Sequence, residues 1–219
     1  MLDLAGSVVL SYLAILLVAF PIHELAHALS ADLLGDSTPR QNGRLTLNPF
    51  AHLDFLGTIL MLLVGFGWAK PVPINPAALR ARSRSAVMWV SIAGPASNLL
   101  MAVLAAIPFR LGWITLVQAQ IDMQLADRHL LPTLPQFMWI FLSVNLLLFL
   151  FNLLPIAPLD GEKIANFLFP PPFARLLEGV QPYGPLLLAV LFIAPQMGVD
   201  VLGWLLIGPL NFFRTLLVG

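Results

Sequence analysis

From Leu4 to Ile22 the chain carries no charged residue, and this run leads directly into His23-Glu24-Leu25-Ala26-His27. An apolar run of that length suits one membrane-spanning helix. An ionisable cluster at the end of such a run is costly, and by default it signals function. On a helix, His23 and His27 stand one turn apart on the same face, with a rise of about 6 Å. Two imidazoles at that spacing can hold one Zn²⁺. Glu24 lies about 100° round the helix from His23, off the ligand face. From there it can reach a water held at the metal and act as general base. The plainer alternative is a set of polar residues that cap a span and snorkel to the interface.

The setting agrees with the membrane reading. Of 219 residues, 59% are hydrophobic and only 10% charged, and the mean hydropathy is +0.89. Soluble domains are near half apolar and a quarter charged. The N-terminal stretch lacks a basic segment and a small-residue cleavage site, so it reads as a retained first span. The formal net charge is zero, and nothing suggests nucleic acid as a partner. There is no cysteine, so any zinc must be held by His, Asp and Glu.

Residues 4–34 read as one helix, with a kink expected at Pro21. Arg44, Leu45, Thr46, Leu47 and Asn48 alternate polar and apolar, the signature of a strand. This strand is expected to offer an edge to an unwound substrate by β-augmentation; the alternative is a solvated linker. Residues 55–69 suggest a short re-entrant helix and Lys70–Pro76 an extended segment. Ser85–Phe109 can span, with Gly94 and Ser97 read as close-packing positions. Gln136–Leu154 is a third span, broken at once by Pro155 and Pro158 before Asp160. Residues 179–213 fit either one span with a tail or a helical hairpin.

The expected fold is an all-α polytopic membrane protein. It would be a bundle of about four to six transmembrane helices, with a small membrane-associated β element between the first helix and the next. One membrane-embedded domain is expected over 1–219, with a catalytic core over 4–165 and a C-terminal helical segment over 179–217. Six Lys and Arg residues lie at 40–84 (Arg40, Arg44, Lys70, Arg80, Arg82, Arg84), against only Arg128 in 111–135. The positive-inside rule then puts the N-terminus outside, with His23 and Asp160 both near the cytoplasmic face.

Two histidines leave a zinc site short of one protein ligand. A metzincin would place Gly at 30 and His at 33; Ser30 and Leu33 exclude that class. The remaining candidates are His52, Asp54, Asp160, Glu162 and Glu178. Asp160 is preferred because it closes an apolar span at the matching depth. Its alternative role is to cap the following helix. His52 reads best as a surface-loop residue, and His129 as a solvated external one.

These motifs resemble the site-2 protease family of intramembrane zinc metalloproteases, in its compact prokaryotic branch without PDZ or CBS domains. The resemblance rests on HExxH in the first span and Asn152-Leu153-Leu154-Pro155-Ile156-Ala157-Pro158-Leu159-Asp160-Gly161 in a later one. Gly43–Pro49, His52-Leu53-Asp54, Ala69–Pro73 and Ala93-Gly94-Pro95 also match. One departure is Phe55, where that branch often has Pro.

The resemblance implies one Zn²⁺ per chain on His23, His27 and Asp160, with Glu24 activating water. It also implies Asn152 bonding substrate backbone or the oxyanion, or else acting as helix–helix glue. The partners implied are transmembrane protein substrates and the lipid bilayer; a homo-oligomer is left open. The competing reading is a non-proteolytic zinc-binding membrane protein, either a pseudoprotease or a metal transporter. The intact Glu24 argues against the first. Ligands gathered at one end of the spans argue against the second.

Overall fold

The computed structural model of the chain describes residues 5–54 and 70–219. The expected re-entrant helix at 55–69 lies outside the described residues. The long helices are α1 (Gly6–Leu33), α5 (Ala86–Arg110), α7 (Leu134–Asn152) and α11 (Val201–Val218). Shorter ones are α2 (Thr38–Gln41), α3 (Pro49–His52), α4 (Pro76–Arg82), α6 (Leu116–Gln124), α8 (Asp160–Leu168), α9 (Pro171–Val180) and α10 (Gly184–Ile193).

Local signals set the helix ends. α1 runs through Pro21 and stops at Gly35, whose φ of 93° is open to glycine at little cost. Asn75 caps α4 by accepting from the N–H groups of Ala77 and Ala78, with Pro76 at the first helical position. Thr133 caps α7 and Asp200 caps α11.

α5 is the central helix, packed against α1, α7, α8 and α11. Its face of Ala102, Ala105 and Ala106 meets Leu142 and Leu146 of α7, with Leu210, Phe213 and Leu217 of α11 alongside. Small residues let these backbones approach, and in lipid such close packing is a main source of helix association. A second cluster joins Val8, Ile15 and Ala19 of α1 to Met101 and Ile140.

Two hydrogen-bond sets define one end of the bundle. Ser7 donates to the Ala126 carbonyl and accepts from Gln136 Nε2. Arg110 Nε donates to the Leu217 carbonyl, and Val218 packs on Phe109, Ile114 and Ala119. Residues 7, 110–133 and 217 therefore share an end. α1, α5, α7 and α11 each run between this end and the other, and each is long and apolar enough to cross a membrane.

The segment Pro171–Met197 is also long and apolar enough to cross, which makes five candidate spans by length and composition. It begins just beyond α8 and ends where α11 starts, at the opposite end. Gly184 abuts Ala157, and Phe192 stacks on Phe151 with ring centroids 5.7 Å apart. The region expected as either one span with a tail or a hairpin thus holds two candidate spans, Pro171–Met197 and α11.

The all-α bundle agrees with expectation, but the β element does not. Among the described residues there is no strand, and Arg44–Asn48 is an irregular, curled segment. Its polar groups are tied locally rather than left for a ladder. Arg44, 5% exposed, turns inward and donates to the carbonyls of Ala51 and Lys70. The Thr46 hydroxyl accepts from Asn48 N–H, and the Thr46 carbonyl accepts from His52 Nε2 at 2.8 Å. Asn48 caps α3. Such local side-chain bonds compete directly with strand pairing. Leu45 and Leu47 thus lie on no strand edge, and Leu47 is exposed.

Candidate metal centre

His23 and His27 project from the same face of α1, one turn apart, and both are buried. Asp160 comes from the first turn of α8, beyond the proline-broken loop that ends α7. Their three donor atoms converge. His27 Nε2 lies 3.0 Å from His23 Nε2 and 3.1 Å from Asp160 Oδ2, and His23 Nε2 lies 3.3 Å from Asp160 Oδ2. Donors about 2.0–2.1 Å from a tetrahedral zinc stand about 3.3 Å apart, so this triangle has the size of one face of such a site.

The protonation pattern also calls for a cation. His27 Nδ1 is 2.7 Å from the Val90 carbonyl, and His23 Nδ1 is 2.6 Å from Asn98 Oδ1. Each Nδ1 therefore carries the proton and donates, which leaves both Nε2 lone pairs facing the Asp160 carboxylate. Three acceptors within 3.3 Å of one another repel unless something positive sits between them. The residues present fit a zinc ion, and among the described residues this is the one group of His, Asp and Glu able to hold a metal.

Packing holds the triangle in place. α5 presses Gly94 against the imidazoles: a Cβ there would lie 2.2 Å from His27 Nε2. Gly161 does the same against the Leu153 and Leu154 carbonyls. The cap position of α8 is Leu159, and Asp160 turns its Oδ2 to the two imidazoles instead. Glu24 is 8% exposed, buried beside the ligands on α1.

The other sequence candidates lie elsewhere. Glu162 is buried and pairs with Asn166, and Glu178 belongs to α9. His52 corrects the surface-loop reading. It is fully buried at the end of α3, and its Nε2 bonds the Thr46 carbonyl. His129 is exposed, as expected. Asn152 is half-buried and donates to the Leu148 carbonyl of its own helix at 3.0 Å.

Sequence reasoning missed Asn98 and the closeness of Gly94 to the ligands. Both lie in Ala93–Asn98, a stretch that suggests only packing. The available signal was Asn98 itself, an amide inside an uncharged span, which needs a partner.

Comparison with curated proteins decides the family. The chain is 46% identical over 185 residues, 84% of its length, to the protein named "Putative zinc metalloprotease YwhC" of Bacillus subtilis, covering 81% of that relative. The chain belongs to this zinc metalloprotease family. It is also 30% identical over 187 residues to "Putative zinc metalloprotease Rip2" of Mycolicibacterium smegmatis and 28% over 198 residues to Rip2 of Mycobacterium tuberculosis. These alignments cover 83% and 86% of this chain, and 66% and 67% of the two relatives. No family model matches the chain, and no solved structure does. The names agree with the site-2 protease resemblance read from the motifs.

Proposed function

We propose that this chain is a zinc-dependent endopeptidase that cuts transmembrane helices of other membrane proteins within the bilayer, near the cytoplasmic face, in regulated intramembrane proteolysis. The observation that carries this reading is the buried His23–His27–Asp160 triangle with Glu24 beside it, at the end of a helix long and apolar enough to cross a membrane. Residues 40–84 hold most of the positive charge, which supports the cytoplasmic placement.

His23, His27 and Asp160 hold zinc. Bound there, the ion polarises the scissile carbonyl and acidifies water. Glu24, off the ligand face, takes the proton of the attacking water and returns it to the leaving amine. The buried walls from α5 and α8 limit competing water. Asn152 keeps a second amide N–H and its Oδ1 for the backbone of an unwound substrate.

The test is zinc content together with cleavage of a model transmembrane substrate by purified protein in detergent. One zinc per chain is expected, with cleavage in the wild type and none in Glu24→Gln, which should retain its metal. Zinc without cleavage in the wild type would point to a non-proteolytic zinc-binding protein instead.

A further inference from the structure

Both imidazoles need the proton on Nδ1 if Nε2 is to face a metal, but they are held in different ways. His27 donates to a backbone carbonyl, that of Val90. A carbonyl can only accept, so this tautomer needs no further support. His23 donates to Asn98 Oδ1, and an amide side chain has two ends of nearly the same shape. Turned around, Asn98 would offer its NH₂ to Nδ1. The His23 proton would then move to Nε2 and point into the space between the ligands.

The group that holds the amide the right way round lies on α7. Asn98 Nδ2 donates to Asn145 Oδ1 at 3.0 Å, and Asn145 Nδ2 donates to the Phe141 carbonyl at 2.9 Å. The chain of bonds ends on an obligate acceptor, so the direction of every bond back to His23 follows from it. Asn98 and Asn145 are both 0% exposed, so bulk water cannot stand in for either partner.

We propose that Asn145, which hydrogen-bonds neither His23 nor Asp160, is a positioning residue that sets the tautomer of His23 through Asn98. This rests on the metal-site reading above. The plainer role for the pair is interhelical glue between α5 and α7, which would not depend on direction.

Direction is what the experiment reads. Zinc affinity is measured by chelator competition in detergent. The His23 tautomer is measured in metal-free protein by long-range ¹⁵N–¹H correlation of labelled imidazoles. Asn145→Leu is expected to lose about 10–100-fold in zinc affinity, the usual cost of losing a ligand's orienting partner, and to show a population of His23 protonated on Nε2.

Adding Asn98→Asp to Asn145→Leu should restore the affinity to within a few-fold and return the proton to Nδ1, because a carboxylate can only accept. Asn145→Ser repeats the single-variant test in a smaller residue if the leucine variant does not fold. Wild-type affinity and tautomer in the single variants would overturn the proposal. So would equal impairment of the single and double variants, which is the outcome expected of glue. If the wild type itself bound no zinc, the metal reading would fail, and the tautomer spectra would still decide the role of Asn145.

Discussion

The α carbon of Gly94 faces the two imidazoles so closely that a methyl group on it would come within 2.2 Å of His27 Nε2 and 2.6 Å of His23 Nε2. Gly94→Ala should therefore abolish cleavage and weaken zinc binding. An alanine in mid-helix otherwise favours α5 by up to about 1 kcal/mol. Gly179→Ala and Gly208→Ala, where nothing lies within 4 Å, are the controls and should stay near wild type. Normal zinc affinity in Gly94→Ala would show that the imidazoles can move aside freely.

Asp160→Ala removes one corner of the triangle and leaves two imidazoles. Zinc content should fall along with activity, more steeply than for the loss of a hydrogen-bonding partner, which costs about 10–100-fold. Full occupancy by metal analysis would mean that Asp160 serves the loop rather than the metal.

Asp36 ties the first connection to the start of α4. Its carboxylate is 2% exposed and accepts from Thr38 N–H at 3.0 Å and Asn75 N–H at 2.6 Å. Burial works to raise its pKa, but these bonds win and hold it below the usual carboxylate value. A folded-state pKa below the unfolded one gives stability that is present above about pH 3.9 and lost as pH falls through the lower, folded value. Asp36→Asn should remove that acid-sensitive component and cost about 1–3 kcal/mol at neutral pH. Thermal unfolding in detergent across the acid range checks it; superimposable acid limbs for wild type and Asp36→Asn would contradict it.

Cysteines at Ser83 and His129, both exposed, should react with impermeant reagents from opposite faces of the membrane. Ser83 precedes α5 at the metal end, and His129 lies among the residues at the other end. The chain has no cysteine of its own, so the labelling is unambiguous. Reaction from one face only would break the bundle's assignment of ends.

Features that depend on local spacing or on depth are legible in the sequence. His23, Glu24 and His27 form their cluster within a single turn of α1, so a helical repeat suffices to place them. Asp160 is 133 residues from His27, yet it is found because two spans of opposite direction return the chain to the same depth. Arg44–Asn48 misleads because alternation describes side-chain direction only. It says nothing of whether Thr46 and Asn48 will satisfy the backbone locally, which they do. His52 looks like a loop residue because its burial at the end of α3 goes with a contact six residues away. Hydropathy cannot separate a helix that crosses from Pro171–Met197, which has a similar composition. The contacts of Gly184 with Ala157 and of Phe192 with Phe151 place that segment beside the end of α7 and the loop after it.

The return of α11 to the end where α1 begins has a consequence for how the chain is threaded into a bilayer. Hydropathy alone offers five candidate spans, an odd number that would leave the two ends of this sequence in different compartments. With Ser7 and Leu217 gathered around the same loop, reporters fused before residue 5 and after residue 219 should read the same compartment. The insertion machinery would then have to let a 27-residue segment that is apolar apart from a few polar positions such as Arg175 and Glu178 settle at one face while α11 is carried across.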